Sequence, residues 1–426
     1  MMIAVFSIRY SLVFLGNPHK GAAQSKRSEK TMPLDILMEA NSIKEWITKH
    51  QRYLHTHAEI GFDLPETFAY VMSTLKQLNL QPQKVGKCGI VASVGKGEPV
   101  VMLRADMDAL PMKEETDLAF SAQNGHVHAC GHDFHTAMLL GAAAILKKHE
   151  SKVQGTILFM FQPAEEILSG ASDMIADGLL DNHHPNYAFM VHVMNAAEIQ
   201  PGTVIIPSAG VSAPAADMFM IQISGMASHG AMPHHGIDPI NAGAHLVLAL
   251  QSIGTRETGL AENNALTIAS FQAGDAANVV PDKAVLKGSV RSYDLKTQQF
   301  IKKRIEDIAA MTAKTFRAQA SVQWLSGCPT LVNAPELVKQ FGNRLPDVIG
   351  SNRVLFSDQL SGSNARSVGS EDFSYISQHA PSLMVALAAG GINNLPLHHP
   401  GIIFNEDALP YGAAVYAAFG LMHTGQ

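Results

Sequence analysis

The sequence predicts an α/β protein in which a domain built on a largely parallel sheet is interrupted by a smaller β-α-β-β-α-β insert. Three observations predict it. Near-continuous apolar runs at 99–105, 155–161 and 187–193 have the composition of strands buried on both faces. Helix-like segments separate them, the alternation that builds parallel sheets. Between residues 217 and 325 the order becomes strand, helix, two strands, helix, strand, the split ferredoxin-like arrangement; a buried strand at 383–389 then resumes the first pattern. A chain of 426 residues is long enough for more than one domain. The expected division is an N-terminal extension at 1–31, the main domain at 32–208, the insert at 209–327 and the remainder of the main domain at 328–426.

The elements follow in order. Residues 1–15 are mostly apolar, but Arg9 interrupts them and no basic segment precedes them. That is a poor signal peptide and too short a run to span a bilayer. Residues 1–31 read as a disordered extension or as upstream sequence from an early start codon, with export as the alternative. Ile36 to Leu54 is amphipathic and helical, with Ile43, Trp46, Ile47 and Leu54 on one side. Pro65 opens a second helix to about Leu78. Strands are expected at 88–94 and 99–105, a helix at 136–147, a strand at 155–161, a helix at 171–180 and a strand at 187–193. The insert is expected to hold strands at 217–224, 265–271, 283–293 and 320–325, and helices at 239–253 and 297–316. Short helices at 335–341 and 371–377 precede the last strand.

Composition excludes several classes. Apolar residues make up 46 % and charged residues 16 %, which suits a buried core and argues against disorder. A net charge of −6 asks for neither nucleic acid nor an anionic membrane as partner. The three cysteines, Cys88, Cys130 and Cys328, are far apart and form no CxxC pair. A disulfide framework is not expected; a reducing compartment, the cytoplasm, is.

The chemistry-bearing residues gather at strand ends. Asp106 and Asp108 follow the 99–105 strand, Glu165 and Glu166 the 155–161 strand, His192 ends the 187–193 strand, and His398 and His399 follow the 383–389 strand. Cys130 and His132 lie in the run from His126 to His135, just before a helix. The carboxyl ends of parallel strands form the crevice where α/β proteins bind ligands. Thiolate, imidazole and carboxylate together are the donors of Zn²⁺ and its first-row neighbours. The bland alternative for His126 to His135 is a His-rich turn with Cys130 as a small buried hydrophobe. For Glu165 and Glu166 it is a helix start favoured by the macrodipole. Adjacent residues at a strand end point different ways, so one carboxylate can bind metal while the other stays free as a general base.

Four motifs then carry a resemblance: His128-Ala-Cys-Gly-His-Asp-Phe-His-Thr-Ala137, Gln162-Pro-Ala-Glu-Glu166, His229-Gly-Ala-Met-Pro-His234 and Ser370-Glu-Asp-Phe373. Over roughly residues 36–420 the chain resembles the M20 metallopeptidase family, in its amidohydrolase branch of hippurate, N-acyl-amino-acid and auxin-conjugate hydrolases. The resemblance implies a zinc-peptidase-like domain with an inserted lid, and a homodimer formed through that insert. It implies two divalent metal ions per subunit, Zn, Mn, Co or Ni, held by Cys130, His132, Glu166, His192 and His398. Glu165 would be the general base, and His229, from its own or a partner subunit, would stabilise the oxyanion. Asn278 and Arg291 would hold an N-acyl amino acid substrate, Arg291 through its carboxylate. Asp106 and Asp108, with Asp133 and His135, would support the site from behind. Two departures stand out: Ala58 replaces a proline in His55-Thr-His-Ala-Glu59, and Ile167-Leu-Ser-Gly170 replaces a Gly-rich turn.

The expected reaction is hydrolysis of an N-acyl-L-amino acid to a carboxylic acid and a free amino acid. Three rivals remain. They are a dipeptidase or aminoacylase of the same family, a non-catalytic metal-binding protein, and a hydrolase using Cys130 as nucleophile.

Overall fold

The structure is a computed structural model that describes residues 35–360 and 366–425. The extension expected at 1–31 lies outside the described residues. No helix among them is long and apolar enough to cross a membrane.

The main sheet has eight strands, in the spatial order Gln83–Val85, Gly89–Gly95, Thr156–Gln162, Val100–Asp106, Tyr187–Met194, Ser382–Ala388, Val204–Ile206 and Val354–Phe356. The four strands from Thr156–Gln162 to Ser382–Ala388 pair in parallel. Antiparallel pairs flank this centre on both sides. Their parallel direction is what matters for function. It brings the segments after Asp106 and Gln162, His192 near its strand's end, and the loop after Ala388 to one edge of the sheet. Every residue of Val100–Asp106 is buried, as its apolar composition requires of a central strand.

The insert forms a separate four-stranded antiparallel sheet, ordered Asn264–Ala273, Lys283–Ser292, Ala215–Ser224, Gln319–Cys328. Helices Pro239–Ser252 and Leu295–Thr315 pack on it, and Phe219, Ile221, Leu246, Leu286, Ile301 and Ile305 make a core of their own. Strand order and connectivity are those of the ferredoxin-like unit. Both helices start at an aspartate whose side chain takes backbone N–H groups of the first turn, Asp238 and Asp294.

The structure differs from the sequence expectation at several elements, each for a physical reason. The helix expected from Ile36 to Leu54 is two helices, Ile36–Ser42 and Lys44–Thr56, meeting at Ile43. The helix expected at 171–180 is broken by Gly178, whose φ of 87° no helix accommodates. Glu371 to Phe373 are not helical; only Ser374–Ser377 is. The helix at Leu409–Thr424 was not expected at all. It is buried on every side, so its apolar residues show no helical period.

That C-terminal helix closes the sheet with one hydroxyl. The ladder between Val100–Asp106 and Tyr187–Met194 stops at Arg104 opposite Met190. Just beyond, Tyr416 Oη donates to the Arg104 carbonyl at 2.7 Å and accepts from the Val191 N–H at 3.1 Å. Tyr416→Phe leaves both backbone groups unpaired and buried. It is expected to cost about 1–3 kcal/mol, read as a lower urea midpoint with an unchanged slope.

Candidate metal centre

Cys130, Gly131 and His132 form the turn into helix His132–Lys148, which begins four residues before the position expected from its pattern. Gly131 sits at the helix N-cap with φ of 81°, a left-handed conformation that turns Cys130 and His132 toward one centre. His132 Nδ1 lies 2.7 Å from the Asp108 carbonyl, which fixes Nδ1 as the donor. Its Nε2 is buried with no hydrogen-bond partner, and carboxylate oxygens of Asp106, Glu166 and Glu165 surround it at 3.6, 3.8 and 3.9 Å. His192 is oriented in the same way: Nδ1 donates to the Val193 carbonyl at 2.7 Å, and Nε2 faces Cys130 Sγ at 3.6 Å. Both imidazoles thus point Nε2 inward, with the other nitrogen tied to backbone, as metal-binding histidines usually are.

The two glutamates sit on a loop held from above by Asp108. Its carboxylate accepts from Glu165 N at 2.9 Å and Glu166 N at 3.2 Å. Both side chains reach toward His132 Nε2, Glu165 through Oε2 at 3.9 Å, and they part beyond it. Glu166 lies between two histidines, with Oε1 3.8 Å from His132 Nε2 and Oε2 3.5 Å from His398 Nε2. Glu166 Oε1 is buried with no hydrogen-bond partner. Glu165 faces the buried acids Glu371 and Asp372, each bringing a carboxylate oxygen within 4.8 Å of the others. Burial, with Glu371 and Glu166 alongside, pushes the Glu165 carboxyl well above the usual carboxylate range.

His398 enters from the loop after the last strand, its N–H bonded to the Ala129 carbonyl at 2.9 Å. His399 turns back on its own loop, Nδ1 accepting from Gly401 N at 3.0 Å. Backbone strain collects here: Ala164, Leu168 and His398 hold φ of 57°, 52° and 64°, which non-glycine residues rarely adopt. Leu168 stands within the departure from the expected Gly-rich turn, at a backbone conformation that glycine would enter freely.

Among the described residues, five donor groups have ligand atoms within 4.8 Å of one another, and three of them use only the expected ligands and Glu165: Cys130, His132 and His192; Cys130, Glu166 and His398; and His132, Glu165 and Glu166. The donor types and the unpartnered His132 Nε2 and Glu166 Oε1 fit divalent transition-metal ions. His135 belongs to the support. Its Nδ1 donates to Asp106 at 2.6 Å and its Nε2 accepts from Val193 N at 2.8 Å, so neither nitrogen is left for a metal. Asp133 is turned toward helix Lys44–Thr56, bonding Gln51 at 2.6 Å and His55 at 2.9 Å.

Among the described residues, no hydrogen bond or ion pair joins the insert's candidates directly to these donors. The short strand Ser228–His229 pairs with Val279–Val280, which sets Asn278 next to His229 although the chain separates them widely. Both are exposed, and among the described residues the one side-chain bond of His229 is from Ala231 N at 3.1 Å. Arg291 donates to Ser370 Oγ at 2.8 Å and to the Val368 carbonyl at 3.4 Å, just before Glu371.

Sequence reasoning missed two residues that the structure puts at the centre's base. Arg104 is fully buried and contacts Asp106, Glu371 and Asp372. Glu371 stands within the motif Ser370-Glu-Asp-Phe373, and no role at the site is expected of it from sequence. An arginine inside a run as apolar as 99–105 was the available signal, since charge on a doubly buried strand must be paired.

The model of peptidase family M20/M25/M40 matches residues 102–421. The chain is 35 % identical over 388 residues to an IAA-amino acid hydrolase ILR1-like 2 of Arabidopsis thaliana, covering 89 % of this chain and 85 % of that one. It is 33 % identical to an N-acetyl-L-cysteine deacetylase of Bacillus subtilis, covering 89 % and 88 %. Among solved structures, the YXEP protein of Bacillus subtilis, a dinuclear metal-binding M20 peptidase, superposes with a TM-score of 0.71 at 28 % identity, over 90 % of this chain and 98 % of that one.

Proposed function

This chain belongs to peptidase family M20/M25/M40, a family of metal-dependent amide hydrolases, and from that premise we propose that it cleaves N-acyl-L-amino acids, hippurate-like compounds among them. The observation that carries the reading is the divergence of the adjacent glutamates. Both carboxylates come within 4 Å of His132 Nε2, but Glu166 continues to His398, while Glu165 continues to Glu371 and Asp372 and meets no second histidine among the described residues. Storage of a metal has no use for that second carboxylate; hydrolysis does. The names of two relatives support this substrate class, since each describes an acyl group joined to an amino acid.

The residues proposed to hold two divalent ions are Cys130, His132, Glu166, His192 and His398. Such ions, when bound, polarise an amide carbonyl and acidify water. Glu165 would take the water's proton and return it to the leaving nitrogen. His229 would face the developing oxyanion, carried there by the insert of its own or a second subunit. Asn278, exposed beside His229, and Arg291 would hold the substrate. A guanidinium suits a carboxylate, and Arg291 would exchange its bond to Ser370 for one. A homodimer through the insert is proposed as well, supported by exposed apolar residues there such as Leu248 and Met311.

The test is a substrate panel. Protein stripped with a chelator is expected to be inactive. Reloaded in turn with Zn²⁺, Mn²⁺, Co²⁺ and Ni²⁺, it is expected to cleave N-benzoyl-, N-acetyl- or indoleacetyl-amino acids faster than plain dipeptides. A preference for dipeptides favours the peptidase reading, and metal uptake without any hydrolysis favours a binding protein. Activity that survives chelation but falls to a thiol alkylator points to Cys130 as nucleophile.

A further inference from the structure

We propose that Arg104 is a positioning residue: through Asp372 and Gln162 it clamps both ends of the loop carrying Glu165 and Glu166, a role that rests on the amidohydrolase reading above.

The guanidinium is fully buried and all three of its nitrogens are engaged. Nε donates to Gln162 Oε1 at 3.0 Å, Nη1 to Asp106 at 2.8 Å, and Nη2 to Asp372 Oδ1 at 3.0 Å and Glu371 at 2.9 Å. Asp372 then reaches the two ends of the loop. Its Oδ1 accepts from Gln162 Nε2 at 2.6 Å, at the loop's start, and its Oδ2 accepts from Ala171 N at 3.0 Å, at its finish. The neck between them is closed. A Cβ on Gly170 would stand 1.6 Å from the Pro163 carbonyl oxygen. With Asp108 holding the Glu165 and Glu166 N–H groups from the other side, the loop is tied above and below.

Stability alone does not account for this arrangement. A buried ion network is commonly no more stabilising than apolar side chains of the same volume. What apolar packing does not provide is direction. The planar fork sets Gln162, Asp106 and Asp372 at defined angles from one rigid central strand. Glu371 is aligned by the same guanidinium and by Phe373 N at 2.9 Å, and it lies next to Glu165. Arg104 therefore ties the carboxylates proposed for metal binding and proton transfer to the sheet.

Arg104→Lys keeps the charge and loses the fork. The experiment uses the full chain and reads the melting temperature, Zn²⁺ affinity by chelator competition, and kcat and KM on an N-acetyl amino acid at saturating metal. Affinity is expected to fall about 10- to 100-fold, the usual effect of removing a group that orients a ligand. The kcat is expected to fall about 100-fold, as for a displacement near 1 Å, with KM nearly unchanged. Asp372→Asn, which turns one acceptor of the clamp into a donor, should reproduce both losses, and it replaces the lysine variant should that fail to fold. A folded variant with wild-type Zn²⁺ affinity and kcat overturns the proposal, even if its melting temperature drops. The affinity needs no substrate, so an inactive wild type counts against the amidohydrolase reading while the affinity still decides this one.

Discussion

Glu165→Gln is expected to lower kcat by about 10²–10⁴-fold while metal content and melting temperature stay at wild-type values. Glutamine keeps the volume of the side chain, and the backbone bond from Glu165 N to Asp108 does not involve it. What is lost is the capacity to take a proton. The wild-type carboxyl is suited to that task by its setting, buried beside Glu371 and Glu166, all of which favour a held proton over a free charge. Turnover and metal content must be measured on the same preparation, because a fall in both would make residue 165 a ligand. If turnover stays near wild type, the base lies elsewhere, and Glu371 becomes the first alternative by position.

Gly131→Ala is the second large effect, and it acts on metal rather than on protons. The φ of 81° at this residue is strained for any side chain, at roughly 1–2 kcal/mol. A Cβ there would also stand 2.2 Å from Val193 Cγ2. Relief requires the turn to move or Val193 to shift, and either displaces proposed ligands. Cys130 and His132 flank the glycine, and His192 precedes Val193 and bonds its carbonyl. The folded variant is expected to lose most of its bound metal at concentrations that saturate wild type, by metal analysis after dialysis, and its activity with it. A variant retaining full metal content would show that the turn relaxes without moving the donors.

Much of this was legible along the chain. A strand buried on both faces must be apolar throughout, so the central strands announced themselves by composition. The insert's helices were legible from their period. The donor residues were legible as candidates because parallel strands present their carboxyl ends together. The helix at Leu409–Thr424 was not legible. Burial on every face removes the contrast between polar and apolar sides from which a helix is read. The short strands at Val204–Ile206 and Val354–Phe356 are too brief to show any period.

By itself the sequence determined the class of fold and the family, and it marked the residues proposed to bind metal, because these depend on side-chain type and order. Only the tertiary structure decided what each one faces. It set Glu166 between His132 and His398, and Glu165 between His132 and Glu371. It engaged both nitrogens of His135 with neighbours and left His132 Nε2 bare. It brought Arg291 to Ser370, and it placed Arg104 under the loop that the glutamates share. Those are relations between segments far apart in the chain, fixed by strand register and by which buried polar groups must find partners. Local sequence carries no record of either.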